Sequence, residues 1–293
     1  MNRAKQGRET KREPVNKEPV TLESVLAKEN LNAAWSQVKA NDGAAGVDGL
    51  NIEASRAYVA EHWIQIETAI LAGRYQPAAV RAVTIPKPDG GERTLGIPTV
   101  LDRLIQQAIH QQLSPVWEPD FSESSYGFRP GRSAHDAVRV AQKHIKRGKS
   151  WVIDIDLKAF FDRIDHDKLM HRVGQKVRDK RLLRLIGDYL RAPQQTADGR
   201  WQPRKQGTPQ GGVMTPWTHL VILSRALLFG VRGRRGRCRR ADGGYSWRAR
   251  IITAVVGQRD AMAHGDRVLF HDDFFDQQPN DFLFLDRAEI LGR

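Results

Sequence analysis

Cysteine is nearly missing from this chain: Cys238 is the single one in 293 residues. That excludes a disulfide framework and a cysteine-built zinc site, and it fits a reducing, cytoplasmic compartment. Long apolar runs are lacking as well. No stretch approaches the ~20 apolar residues of a membrane span. The best run, 220–229, is short and carries Arg225, so no membrane partner is expected. Residues 1–17 are charged and hold no apolar core of the kind a secretory signal needs, so no such signal is expected there. No repeat of fixed period recurs. Lysine disappears after residue 205: residues 1–216 hold 14 Lys and 20 Arg, whereas 217–293 hold 13 Arg and no Lys.

What is present is an ordinary globular mixture, 40% apolar and 28% charged, long enough for one large domain or two smaller ones. Lys and Arg number 47 against 34 Asp and Glu, a formal charge of +13. Such an excess points to a polyanion, with nucleic acid the first candidate and an anionic membrane surface the second.

Periodicity divides the chain. Residues 1–20 read as a basic flexible arm. A helix should begin after Thr21 as N-cap, with Val25, Leu26, Ala33, Ala34, Trp35 and Val38 at helical spacing. Residues 41–49, NDGAAGVDG, form a glycine-rich turn. A second helix is expected over 53–72, with Tyr58, Ile66, Ile70 and Leu71 on its apolar side. Alternation around PKPDGGE marks a β-hairpin over 81–98. Helix is expected at 102–113, a loop at 115–131, helix at 134–146, a strand at 151–157, helix over 166–190 and a glycine loop at 207–212. The change of composition at Trp217 marks a boundary that fits a separate domain, a fusion or an out-of-frame extension.

Three segments carry chemistry. In WVIDIDLKAFFD, Asp154 and Asp156 project to one face of a strand, because side chains alternate. Carboxylates at a strand end can hold Mg²⁺, which prefers hard oxygens and shares them with substrate phosphates; equally, they can pair with Lys or Arg. In IPKPDGGER, the hairpin brings Lys87 and Arg93 together, a point charge and a planar fork that suit a triphosphate. In GTPQGG, glycines allow close backbone approach and Gln210 offers an amide, but the G-x-x-x-x-G-K-[ST] phosphate loop is absent.

In order along the chain, these segments resemble the reverse transcriptases encoded by bacterial group II introns. NDGAAGVDG is similar to that family's N-terminal extension block, and VRAVTIPKPDGGERTLGIPTVLDRLIQQAI to its fingers block. PVWEPDFSESSYGFRPGRSAHDAV, WVIDIDLKAFFDRIDHDKLM and its following helix, and KQGTPQGGVMTP follow in the family's order. The resemblance covers about 21–216. It implies an α+β, right-hand polymerase fold: helix-rich fingers and a partial palm, a split βαβ unit with an antiparallel sheet. Residues 217–293 are then a divergent C-terminal tail. By resemblance, Asp156 is a catalytic metal ligand, joined by the Leu157 carbonyl around Mg²⁺. Phe161 lies under the incoming sugar and excludes a 2′-hydroxyl. Lys87 and Arg93 grip the triphosphate, and Gln210 and Gly211 line the nucleotide and template site. Arg129 and Arg132 either contact the template or hold their loop. The implied partners are a dNTP, a DNA primer and an RNA template, the group II intron RNA.

The sequence departs from the family after Pro216. WTHLVILSRALLF follows, and the Tyr-Ala-Asp-Asp motif that completes the family's metal site occurs nowhere in the 293 residues. Phe270-His271-Asp272-Asp273 is either a replacement pair or a fortuitous string in a tail rich in Asp and Phe. The expectation is an RNA-directed DNA polymerase that is truncated or frameshifted and impaired in isolation. The alternative is a chain that binds intron RNA without polymerising.

Overall fold

The computed structural model describes residues 19–86, 91–148 and 160–222 in full. It also describes the backbone of strands at 151–157, 237–238, 245–246 and 285–292. The basic arm up to residue 18, Lys87 and the Asp272-Asp273 pair lie outside the described residues, as do the side chains of Asp154, Asp156 and Leu157.

The fold is α+β. Helices α1 (Leu22–Leu26), α2 (Lys28–Ala40) and α3 (Ile52–Leu71) precede a hairpin of β1 (Val80–Pro86) and β2 (Glu92–Ile97). Helix α4 (Val100–Trp117) and α5 (Ala134–Lys146) lead to β3 (Trp151–Leu157), then α6 (His166–Gly174) and α7 (Lys180–Arg191). Short β4 (Gln194–Gln195) and β5 (Trp201–Gln202) follow, and then a helical segment over 215–222. One sheet has the order β2-β1-β4-β5, antiparallel except for the parallel β1–β4 pair. Two further two-stranded ladders are antiparallel. One joins β6 (Arg237–Cys238) to β7 (Tyr245–Ser246), and the other joins β3 to β8 (Leu285–Gly292) with Asp156 opposite Arg287.

Helix α4 is the centre of the core. Leu104, Ile105, Ala108, Ile109 and Leu113 are buried on it, against Leu22 and Val25, Ile66 and Ile70, Leu169 and Val173, and Leu182 and Ile186. Each fully buried Leu or Ile contributes roughly 1.5–3 kcal/mol relative to an exposed one. Trp217 packs edge-on against Trp117 at 5.1 Å, and Val221 joins the same cluster, so the core crosses the compositional change at 217.

Several helix boundaries follow their caps. Thr21 and Ser24 form a capping box, Asn51 caps α3, and Ser133 with Asp136 forms a second box on α5. Three boundaries differ from expectation. The first helix breaks at Ala27, which adopts ψ 138°; the carbonyl of Val25 is taken instead by the Asn30 amide at 2.7 Å, which also donates to Ala108 on α4. Helix α4 runs through Pro115 to Trp117, where Lys176 holds the last turn by donating to the Val116 carbonyl and lying over the Trp117 ring. The expected 166–190 helix is two helices, because Asp179 caps α7 and also accepts from the Leu22 amide at 2.9 Å. Tyr58, expected on the apolar side of α3, is exposed.

Asp102, 1% exposed on α4, ties three parts together. Its carboxylate accepts from the hydroxyls of Tyr75 (2.7 Å), Tyr189 on α7 (3.2 Å) and Thr99 (2.7 Å), and from the Ala78 amide (3.1 Å). Burial raises its pKa, with those four donors opposing the shift.

Candidate functional site

Next in the chain after β3 is a short 3₁₀ turn, Phe160–Asp162. Phe160 is buried and Phe161 stays partly exposed. His219, from the helical segment 215–222, lies edge-on to Phe161, with ring centroids 3.8 Å apart, and 4.9 Å from Phe160. Burial pushes its imidazole down to about 4, so it is neutral at physiological pH, and its buried Nε2 has no partner among the described residues.

The 207–212 loop is fastened to two elements at once. The Gly207 amide donates to the Ile164 carbonyl at 2.7 Å, and the Thr208 amide to the Phe161 carbonyl at 2.8 Å. His166 Nε2 donates to the Gly207 carbonyl at 2.7 Å. On the other side, the Gly96 amide of β2 donates to the Gln210 carbonyl at 2.7 Å. Glycine is required at both contacts. Gly207 sits at φ +79°, and a Cβ there would lie 2.8 Å from the Phe161 and Asp162 carbonyl oxygens. A Cβ on Gly96 would lie 2.7 Å from Pro209 and from Val80. The loop thus links the hairpin to the turn after β3.

This arrangement brings together Phe161, Gln210, Gly211 and the strand that carries Arg93. Arg93 is exposed, opposite Ile85 near the hairpin's free end, and three residues from Gly96. Three residues of strand span about 10 Å. Lys87 lies outside the described residues. Asp156 and Leu157 stand at the end of β3, with a register shift between them against β8. Among the described residues no group of three or more His, Cys, Asp and Glu gathers as a metal site. The donors implied for a divalent cation, one carboxylate and one backbone carbonyl, are all oxygen, a chemistry that suits Mg²⁺.

The two arginines of the 115–131 loop region have different surroundings. Arg129 is 6% exposed and spends its guanidinium on Glu118 (2.6 Å) and the carbonyls of Ser122 and Ser125, above the Phe121 ring. It holds its loop. Arg132 pairs with Glu123 at 2.8 Å over Tyr126, at the surface. Sequence reasoning missed Gly96 and His219. A lone glycine inside a strand signals close backbone approach, and Gly96 carries that signal. His219 gives no such signal within its apolar run.

A family profile described as reverse transcriptase (RNA-dependent DNA polymerase) matches residues 85–228. Protein YkfC of Escherichia coli is 38% identical over 184 residues. The group II intron-encoded protein LtrA of Lactococcus lactis is 34% identical over 186 residues. Residues 85–228 thus match the reverse transcriptase family, and the chain is similar to its group II intron type. The two alignments take in 61% and 62% of this chain but 48% of YkfC and 30% of LtrA, so the chain spans about half or less of these relatives. An uncharacterized 91 kDa protein in the cob intron of Schizosaccharomyces pombe is 40% identical over 136 residues, 46% of this chain and 17% of that protein. The match to the reverse transcriptase family includes β2, the turn after β3 and the 207–212 loop. Among the described residues no helix is long and apolar enough to cross a membrane.

Proposed function

We propose that residues 21–216 are the fingers and first part of the palm of an RNA-directed DNA polymerase, followed by a divergent tail. The reaction is nucleotidyl transfer from a dNTP to a primer 3′-hydroxyl on an RNA template, the group II intron RNA. The observation that carries the reading is the 207–212 loop, hydrogen-bonded both to Gly96 on the hairpin and to Phe161 after β3. In this reading the segments that the loop joins serve one nucleotide. Arg93, with Lys87, grips the triphosphate; Phe161 blocks a 2′-hydroxyl; Gln210 and Gly211 face the base and template. Asp156 and the Leu157 carbonyl would hold Mg²⁺, which would supply positive charge to stabilise the transferred phosphate.

The 293 residues by themselves extend a primer weakly or not at all, because no Tyr-Ala-Asp-Asp motif follows. Losing those carboxylates removes several kcal/mol of transition-state stabilisation, orders of magnitude in rate. The same absence favours a second reading, in which the chain binds intron RNA without polymerising. Primer extension on an RNA template with Mg²⁺ and dNTPs tests both. The expected result is salt-dependent RNA binding without robust extension. Robust extension abolished by Asp156→Ala overturns the impairment and supports Asp156. If Asp272→Ala and Asp273→Ala abolish it too, the tail completes the site.

A further inference from the structure

A cleft of about 460 Å³, lined by none of the residues in the 207–212 loop, opens between the turn after α3 and one side of α7. Arg184, Asp188 and Arg191 line it from α7, and Arg74 and Gly73 from the turn. Positions 184, 188 and 191 are spaced i, i+4, i+7, so the helix turns all three the same way. Leu182, Leu185, Ile186 and Tyr189 on α7 enter the core. The cleft therefore has three guanidinium groups and a single carboxylate.

Asp188 neutralises little of this charge. It lies 3.3 Å from Arg191 Nη2 and 3.9 Å from Arg184 Nε, and the two arginine side chains are 54% and 66% exposed. Arg74 is exposed and has no ion pair among the described residues. The turn's backbone amides are already spent: those of Gly73, Arg74 and Tyr75 donate to carbonyls of α3 at 2.8–3.1 Å. Any anion here is therefore bound by guanidinium groups rather than by a backbone nest. Gly73, at φ +64°, has no side chain to stand before Arg184 Nη1.

We propose that this cleft binds the phosphodiester backbone of a nucleic acid strand, as a contact surface separate from the nucleotide site. Planar guanidinium forks match phosphate oxygens two at a time. Arg184 and Arg191 stand about 10 Å apart along the helix, so they engage different phosphates of one strand. The proposal rests on the reading that this chain handles nucleic acid and assigns that role to a surface outside the 207–212 loop.

The test is fluorescence anisotropy of the full chain with labelled single-stranded RNA and DNA of one sequence, over a range of salt. The triple variant Arg74→Ala, Arg184→Ala, Arg191→Ala should bind roughly tenfold or more weakly, with the salt slope reduced by about 0.7 for each phosphate no longer neutralised. Arg200→Ala, at an exposed arginine outside the cleft, should change neither. Asp188→Asn should bind more tightly, a gain that misfolding does not produce. Equal losses on RNA and DNA support a backbone contact; loss on RNA alone supports the cleft and assigns it to RNA. Wild-type affinity and slope in the triple variant, with Asp188→Asn unchanged, overturn the proposal. A wild-type chain that binds neither strand overturns the nucleic-acid reading itself.

Discussion

Replacing Gly207 with alanine perturbs the joint that holds the candidate site together, and a matched control separates its causes. Gly207 and Gly199 share φ +79°. An alanine in this left-handed region costs roughly 1–2 kcal/mol at either position. At Gly199 a Cβ meets nothing within 4 Å, so the backbone cost stands alone. At Gly207 the Cβ would lie 2.8 Å from two backbone carbonyl oxygens, and neither can swing aside like a flexible side chain. The loop must lift, which weakens the amide bonds to Ile164 and Phe161 at 2.7 and 2.8 Å, each contributing about 1 kcal/mol. Gly207→Ala should therefore cost about 3–4 kcal/mol. Thermal unfolding followed by circular dichroism should show a fall on the order of 10 °C for Gly207→Ala and roughly 4 °C for Gly199→Ala. Equal destabilisation in the two variants refutes the claim that the Phe161–Gly207 approach is tight.

Three further outcomes follow from the packing. Asp102→Ala leaves the Tyr75, Tyr189 and Thr99 hydroxyls and the Ala78 amide without their acceptor, and should cost about 3–5 kcal/mol in denaturant titration. Trp217→Ala should cost about 3–5 kcal/mol, since the ring is buried against Trp117; a near-neutral result would place residue 217 outside the cooperative core. His219 makes stability depend on pH. Its folded pKa, pushed down to about 4 by burial, lies below the ordinary 6.5, so the unfolded chain takes up the proton first as pH falls. Its contribution is complete above pH 6.5 and is lost between there and about pH 4, at most roughly 3 kcal/mol. Unfolding midpoints at several pH values should show a slope that His219→Phe flattens; His110, also pushed down by burial, leaves a remainder in both proteins.

Local signals carried much of the fold. Thr21 announces a helix start because its side chain satisfies a backbone amide three residues on, whereas the caps at Asn51 and at Ser133 with Asp136 emerge from the structure. The hairpin is equally local. The break at Ala27 was not legible, since its compensation comes from Asn30 reaching both Val25 and the distant Ala108. Asp179 also serves Leu22, 157 residues away in sequence, a contact no window of sequence contains. In the site, motif order led to Phe161, Gln210 and Gly211, and the loop joins their segments. The role of Arg129 needed the fold, because only the closed loop shows its guanidinium consumed by Glu118 and two carbonyls.

The most direct test of the central claim is equilibrium binding of labelled dNTP and NTP to the full chain with primer–template and Mg²⁺, which needs no turnover. The expected result is that dNTP binds more tightly than NTP. Phe161→Ala should erase that preference, and Arg93→Ala should weaken both nucleotides. Equal binding of dNTP and NTP, unchanged by either substitution, would contradict the assignment of this site to nucleotide recognition.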